Sequence, residues 1–224
     1  MSQPQTLDVI LTGATGMVGE GVLLECLAHP AVRSVLVVGR KPCGREHPKL
    51  RETLVPSFLA LGDVEEQFVG YNTCFFCAGV SSLGKNEADY TRITYDTTLH
   101  FAETLARLNP DMTFEYISGA STDSTEKGRV MWARVKGRTE NALAHLPFAQ
   151  EYNLRPGFMR ATEGQRNLVS YYRYINWLYP VLHTVAKNYA STLSQVGRAM
   201  IELALHGSPK QVLEVADINA LAKQ

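Results

Sequence analysis

A strand that runs straight into a set of spaced glycines leaves a chain few folds to choose from. The apolar run ending at Thr12 passes directly into Thr12-Gly-Ala-Thr-Gly-Met-Val-Gly19, a GxxGxxG loop, and then into a stretch that continues to about His29 before Pro30. Each glycine has a task in a turn that receives a pyrophosphate: Gly13 permits the tight turn, Gly16 lets backbone approach the phosphates, and Gly19 lets the helix pack closely on the sheet. The helix start then points its free N–H groups at the anion. Three spaced glycines are a weak signal alone, and a merely structural turn is the other reading. Position after the first strand and before the first helix is what points to a dinucleotide.

The rest of the chain repeats that alternation. Strands are expected near Asp8–Thr12, Ser34–Gly39, Arg51–Val55, Thr73–Ala78, Thr113–Ser118, Tyr152–Leu154 and Val212–Val215, with helices over about Gly16–His29, Glu87–Leu108, Val130–Leu146 and Ser194–Ala204. Short β-branched runs between helical stretches imply a parallel sheet covered on both faces, an α/β doubly wound, Rossmann-like fold. At 224 residues, 45% hydrophobic and 20% charged, with no repeat of fixed period and no Gly/Ser/Pro-rich linker, the chain reads as a single globular domain over residues 1–224.

Charge and special residues exclude several classes of function. Lys plus Arg and Asp plus Glu both number 22, so no bulk field draws the chain to nucleic acid. The polar N-terminus, Met1–Thr6, does not read as a signal peptide. The longest apolar segment, Ile175–Ala186, is interrupted by Asn176, Pro180 and His183 and is too short to span a membrane. Cys74 and Cys77 form a CxxC inside an expected strand, where residues three apart point to opposite faces. That geometry serves neither zinc nor a redox pair, so the cysteines read as packing residues of a cytoplasmic protein. The six histidines have no ligand spacing, and no metal is implied.

The second strand ends Val37-Val-Gly-Arg-Lys41, where a site for NAD usually carries an acid to hold the ribose 2′-hydroxyl. Arg40 can fork onto a 2′-phosphate and stack beside adenine, while Lys41 adds a point charge, so NADP is favoured over NAD. A solvated basic turn is the bland alternative.

These residues, with Phe76-Cys-Ala-Gly79, Ile117-Ser-Gly-Ala-Ser-Thr122, Lys136-Gly137 followed by Glu140, and Arg155-Pro-Gly157, occur in an order that resembles the short-chain dehydrogenase/reductase superfamily. Nearly the whole chain is similar to its atypical or extended branch, most of all to the Tat-interactive oxidoreductase group. By that resemblance Thr15, Gly16, Met17 and Val18 wrap the pyrophosphate, and Arg40 and Lys41 meet the 2′-phosphate. Ala78 and Gly79 pass under the adenosine ribose, and Pro156 with Phe158 approaches the nicotinamide. Where relatives often carry an Asp just after the third strand, this chain has Pro56-Ser57, with Asp63 farther on. The resemblance also implies a small substrate-covering segment over about 157–190.

Active members of that family carry YxxxK on the helix after the fifth strand, because residues at i and i+4 share a face and both must meet substrate and nicotinamide ribose. This chain reads Met131-Trp-Ala-Arg-Val-Lys136. Lys136 is in place and Trp132 stands at the tyrosine position. An indole N–H donates a hydrogen bond but does not exchange its proton near neutral pH, so it cannot act as general acid or base. The serine that steadies the substrate carbonyl is expected near Gly119 or Ala120; Ser118, Ser121 and Thr122 flank that place, with Ser121 the first choice. Capping and turn bonds are the alternative for these hydroxyls.

Two functions follow. One is an NADPH-dependent oxidoreductase or epimerase of a small-molecule substrate in which another donor replaces the phenol. The other is a cofactor-gated binding or regulatory protein that has lost the chemistry. The aromatic stretch Tyr171–Tyr179 reads as packing or a homodimer contact more readily than as pocket lining.

Overall fold

The computed structural model describes residues 6–167 and 189–223. Seven strands form one sheet: β1 (Leu7–Thr12), β2 (Val32–Gly39), β3 (Leu50–Leu54), β4 (Thr73–Phe76), β5 (Thr113–Ile117), β6 (Gln150–Arg155) and β9 (Val212–Glu214). Their spatial order is β3-β2-β1-β4-β5-β6-β9, and every neighbouring pair is parallel. This is the Rossmann-like doubly wound sheet that the alternation implies. The order reverses between β1 and β4, which opens a crevice at the carboxyl ends of those strands.

Alternation along the strands divides the core in two. Val9, Leu11, Val35, Val37, Phe75 and Leu154 face α1 (Met17–Ala28) and α5 (Leu193–His206). Ile10, Leu36, Val38, Phe76, Phe114 and Tyr116 face the opposite layer, which holds α3 (Thr97–Leu108) and α4 (Met131–Leu143). Cys74 packs into the second cluster and Cys77 against the first, so the CxxC pair does point to opposite faces. Helix α5 starts at a capping box in which Thr192 and Gln195 satisfy each other's backbone N–H groups.

Two features depart from the sequence pattern. The single helix expected over Glu87–Leu108 is α2 (Glu87–Thr91), then a π turn at Arg92–Asp96, then α3. A π turn brings residues i and i+5 onto one face, and Thr97 donates its hydroxyl to the Arg92 carbonyl at 3.0 Å. The second departure is a separate two-stranded parallel sheet of β7 (Phe158–Arg160) and β8 (Ala190–Thr192), together with α6 (Val215–Leu221). Three-residue strands are too short to leave a periodic signal. The aromatic stretch Tyr171–Tyr179 and the apolar segment Ile175–Ala186 lie outside the described residues. Among the described residues no helix is long and apolar enough to cross a membrane.

Two buried carboxyls sit in the sheet. Glu115, between Phe75 and Tyr152, is fully buried, and neither oxygen has a hydrogen-bond partner among the described residues. Glu151 accepts a hydrogen bond from Gln211 on one oxygen only, and burial pushes its acid up to about 8. A carboxyl that stays protonated when folded but ionises when unfolded lets the unfolded chain bind fewer protons, so stability falls as pH rises between the two pKa values. For Glu151 that window runs from 4.5 to about 8. Within it the loss approaches ~1.4 kcal/mol per pH unit. Glu151→Gln keeps the shape and the acceptor for Gln211 and removes the acid. Urea unfolding across the window is expected to show a correspondingly shallower decline; an unchanged slope would mean that Glu151 is ionised in the folded protein.

Candidate functional site

The crevice between β1 and β4 opens into a cleft of about 900 Å³. Gly13, Ala14, Thr15 and Gly16 form its floor, and the end of β2 with Arg40 and Lys41 forms one wall. Ala78 and Gly79 follow from β4, and Lys85, Asp89, Arg92, Ile93 and Thr97 close the far side. Arg92 and Thr97 both reach this wall because the π turn aligns them. Of the Pro56-Ser57 pair after β3, Ser57 lines the cleft, and Phe58 and Leu59 beside it present apolar surface.

The floor depends on close backbone contact. Gly13 has φ +76°, and a Cβ on it would sit 2.6 Å from the carbonyl of Cys77. A Cβ on Gly19 would sit 2.2 Å from the Gly13 oxygen, the close helix packing expected of the third glycine. The Gly13 carbonyl accepts from Gly16 N at 2.8 Å, which tightens the turn. Gly16 caps α1 with no side-chain hydrogen bond, so the first-turn N–H groups of Met17, Val18 and Gly19 have no side-chain cap. A glycine cradle beneath an uncapped 12-residue helix fits a pyrophosphate.

The remaining predicted residues lie off the cleft walls, at the carboxyl ends of β5 and β6. Lys136 donates from Nζ to the carbonyls of Ser118 at 2.9 Å and Ile117 at 3.3 Å, and lies 5.4 Å from the centre of the Tyr116 ring. Burial pulls its ammonium down to about 8, against a partial upward push from Glu140. Trp132, one turn earlier on α4, is half-buried, and its ring lies 3.8 Å from where a Cβ on Gly119 would be. A Cβ on Gly137 would fall 1.9 Å from the Asp123 carbonyl, so this glycine lets α4 press against the loop that follows β5.

Ser121 is exposed with φ +68°, whereas Ser118 and Thr122 are buried with their hydroxyls 3.0 Å apart. Pro156 is buried and accepts from Ala120 N at 3.0 Å. Phe158 packs with Met17, Val18 and Leu193, joining β7 to the first turn of α1. The two groups of predicted residues are therefore contiguous through the glycine loop.

Two ionic clamps escape the sequence reading. Glu20 is buried in the first turn of α1 and accepts from the Arg45 guanidinium and from the backbone N–H groups of Arg166 and Asn167. Burial alone would raise its pKa; Arg45 and those N–H groups outweigh it and hold the carboxyl low. Arg155 on β6 grips both oxygens of Glu140 on α4 and also reaches Ser124 and Glu214. The available signal was a lone acid in an otherwise apolar helix start, and an acid four residues beyond Lys136 on the same helix face.

No protein-family model matches the chain. Protein HTATIP2 of Rattus norvegicus is 26% identical over 157 residues, covering 69% of this chain and 64% of that protein's length. Protein fmp52-1, mitochondrial, of Aspergillus terreus is 25% identical, covering 97% of this chain and 99% of its own. Among solved structures, the Bordetella bronchiseptica enzyme WbmF in complex with NAD+ superposes with a TM-score of 0.67 at 16% identity, covering 98% of this chain and 78% of its own. Helicobacter pylori ADP-L-glycero-D-manno-heptose-6-epimerase gives 0.67 at 16% identity, covering 100% of this chain and 82% of its own. At these identities the structures establish the fold.

The cradle makes a direct prediction. Gly19→Ala drives a methyl into the Gly13 carbonyl and is expected to cost about 1–3 kcal/mol by overpacking and to abolish nucleotide binding. Gly79→Ala, where a Cβ would meet nothing within 4 Å, is expected to leave stability near wild type. Thermal unfolding and fluorescence titration with nucleotide check both; equal behaviour of the two variants would refute the cradle.

Proposed function

We propose that the chain is a member of the atypical short-chain dehydrogenase/reductase superfamily, and that it is an NADP(H)-dependent oxidoreductase of a small carbonyl or alcohol substrate in which Trp132 stands where the catalytic tyrosine would be. One observation carries the cofactor assignment. Arg40, Lys41, Lys85 and Arg92 face the cleft against a single carboxylate, Asp89, among the described lining residues. Such a wall suits a ligand with more negative charge than a diphosphate alone, and a 2′-phosphate adds about −1.5 to −2.

In this reading Thr15, Gly16, Met17 and Val18 turn backbone N–H groups to the diphosphate, with Gly13 and Gly19 setting the curvature. Arg40 and Lys41 hold the 2′-phosphate, Ala78 and Gly79 pass under the ribose, and Pro156 and Phe158 bound the nicotinamide. The cofactor, when bound, supplies or accepts hydride. Ser121 offers a hydroxyl to the substrate oxygen, Trp132 orients by its indole N–H, and Lys136 anchors the end of β5. The NAD+ complex of WbmF and the epimerase name of another structural neighbour support a pyridine-nucleotide reaction of this general class. The neutral net charge and the packing cysteines support a cytoplasmic location; the mitochondrial designation of fmp52-1 makes that compartment the alternative for fractionation to test.

Trp132 also favours a second reading, a cofactor-gated binding protein without turnover, because an indole cannot exchange its proton. A panel of aldehydes, ketones and quinones, followed by NADPH absorbance, separates the two.

NADPH is expected to bind at least about tenfold more tightly than NADH, since one charge-assisted hydrogen bond is worth roughly 1.5–3 kcal/mol. Arg40→Ala should erase most of that preference in a fluorescence titration, and an unchanged preference would remove Arg40 from the site. Trp132→Tyr places a phenol one turn before Lys136. It is expected to leave NADPH affinity within a few-fold while raising carbonyl turnover within the general-acid range of about 10²–10⁴. No gain in a variant that binds NADPH, when wild type already turns over, would refute the lost-tyrosine argument.

A further inference from the structure

Protons at the ends of β5 and α4 can be counted. The Thr122 hydroxyl donates to the Gly119 carbonyl at 2.8 Å, so the Ser118 hydroxyl, 3.0 Å from it, is the donor in their mutual bond. Both protons are spent, and Ser118 can only accept; the Ser121 hydroxyl can hydrogen-bond the substrate oxygen but does not ionise near neutrality. The Asp123 carboxylate takes hydrogen bonds from Thr125 and from Gly128 N, which hold its pKa below the usual range, so it carries no proton to give. Tyr116 is buried on β5, and burial raises its phenol far out of the neutral range. Tyr90 is likewise buried and raised. Trp132 does not ionise. Lys136 has three N–H donors, and the carbonyls of Ile117 and Ser118 take two of them.

We propose that Lys136 is itself the proton donor to the substrate oxygen, replacing the phenol that Trp132 cannot supply. This assignment rests on the oxidoreductase reading. In the reductive direction the carbonyl carbon accepts a hydride, with its electron pair, from a bound dihydronicotinamide, and the C=O π pair moves to oxygen. That oxygen takes the third Nζ proton; the N–H pair remains on nitrogen, and the neutral amine regains a proton from water.

The surroundings suit an ammonium that gives up its proton near neutrality. Tyr116 faces Nζ from β5 with a ring and no charge, and the backbone carbonyl of Ser118, where the following loop begins, accepts from it. Glu140, on the next turn of α4, is the one carboxylate acting on Lys136 among the described residues, and Arg155 holds both of its oxygens. Arg155 thereby blunts the charge that would otherwise keep Lys136 protonated, and is a positioning residue. Burial then brings the group to about 8, well below 10.5.

Two measurements test the assignment. Competitive labelling with acetic anhydride across pH, read on the Lys136 peptide of the nucleotide-free protein, needs no turnover; a midpoint near 8 is expected, and labelling at the ordinary lysine value would overturn the proposal. The second follows NADPH-dependent reduction of para-nitrobenzaldehyde. The rate is expected to fall as pH rises through the labelling midpoint, and Lys136→Gln to lose about 10²–10⁴, with partial recovery in added methylamine. Circular dichroism and thermal unfolding of Lys136→Gln and Lys136→Arg check that each variant is folded. A rate retained in folded Lys136→Gln, or one lost instead in Tyr189→Phe, the exposed phenol whose backbone carbonyl binds Phe158 N, would overturn the proposal alone. Failure of NADPH-loaded wild type to reduce any carbonyl in the panel would overturn the oxidoreductase reading and this assignment with it, whatever the labelling shows.

Discussion

At Gly13 the backbones of β1, β4 and α1 meet with no side chain between them. The carbonyl of Cys77 lies where a Cβ on Gly13 would be, and the Gly13 carbonyl lies where a Cβ on Gly19 would be. The Thr12 hydroxyl accepts from Ala78 N across the same junction and fixes the level at which β1 and β4 end. Those two ends mark the reversal in strand order, so this contact sets the depth of the crevice and the direction in which the first N–H groups of α1 point. The cationic walls follow from it, because Arg40 leaves β2 and Lys85 follows β4 on either side of one floor.

Two buried carboxylate–arginine pairs hold the parts that the sheet does not. Glu20 gathers the β2–β3 connection through Arg45 and the segment before residue 168 through the N–H groups of Arg166 and Asn167; Gln165 adds a hydrogen bond to the Met17 carbonyl at 2.7 Å. Glu140 and Arg155 do the same for α4 and β6. Buried ion pairs contribute little net stability once desolvation is counted, yet breaking one by removing a partner is costly. Their value here is geometric: one ties the glycine-loop end of α1 to distant loops, and the other ties α4 to β6.

The fold was legible because its signals are local. Seven strands appear within a residue or two of where β-branched runs end in glycine, proline or polar turns, and the glycine loop announced its own geometry. What remained hidden depends on contacts distant in sequence. Nothing near Glu20 states that residues more than 140 positions later will bring N–H groups to it, and nothing in Tyr-Thr-Arg-Ile-Thr-Tyr-Asp96 distinguishes a π turn from a continuous helix. On α4 the spacing of Trp132 and Lys136 was legible, but the consumption of the Ser118 and Thr122 protons was not, since it depends on which acceptor each hydroxyl faces. Ser121 suited the serine role by its place in the loop, and the folded loop gives it an exposed, left-handed backbone.

The π turn at Arg92–Asp96 separates two demands that a regular helix would bind together. One extra residue in an ordinary α-helix turns everything beyond it by about 100°, which would carry Phe101 and Leu105 out of the core. Here the surplus is absorbed within five residues, and the downstream helix keeps its buried face. The stretch that looks into the cleft is thus free to change in sequence while the core answers only to α3. A descendant of this chain could retune what the cleft selects by editing Arg92 and Ile93, or by losing the surplus residue altogether, with the sheet's apolar layer left in register.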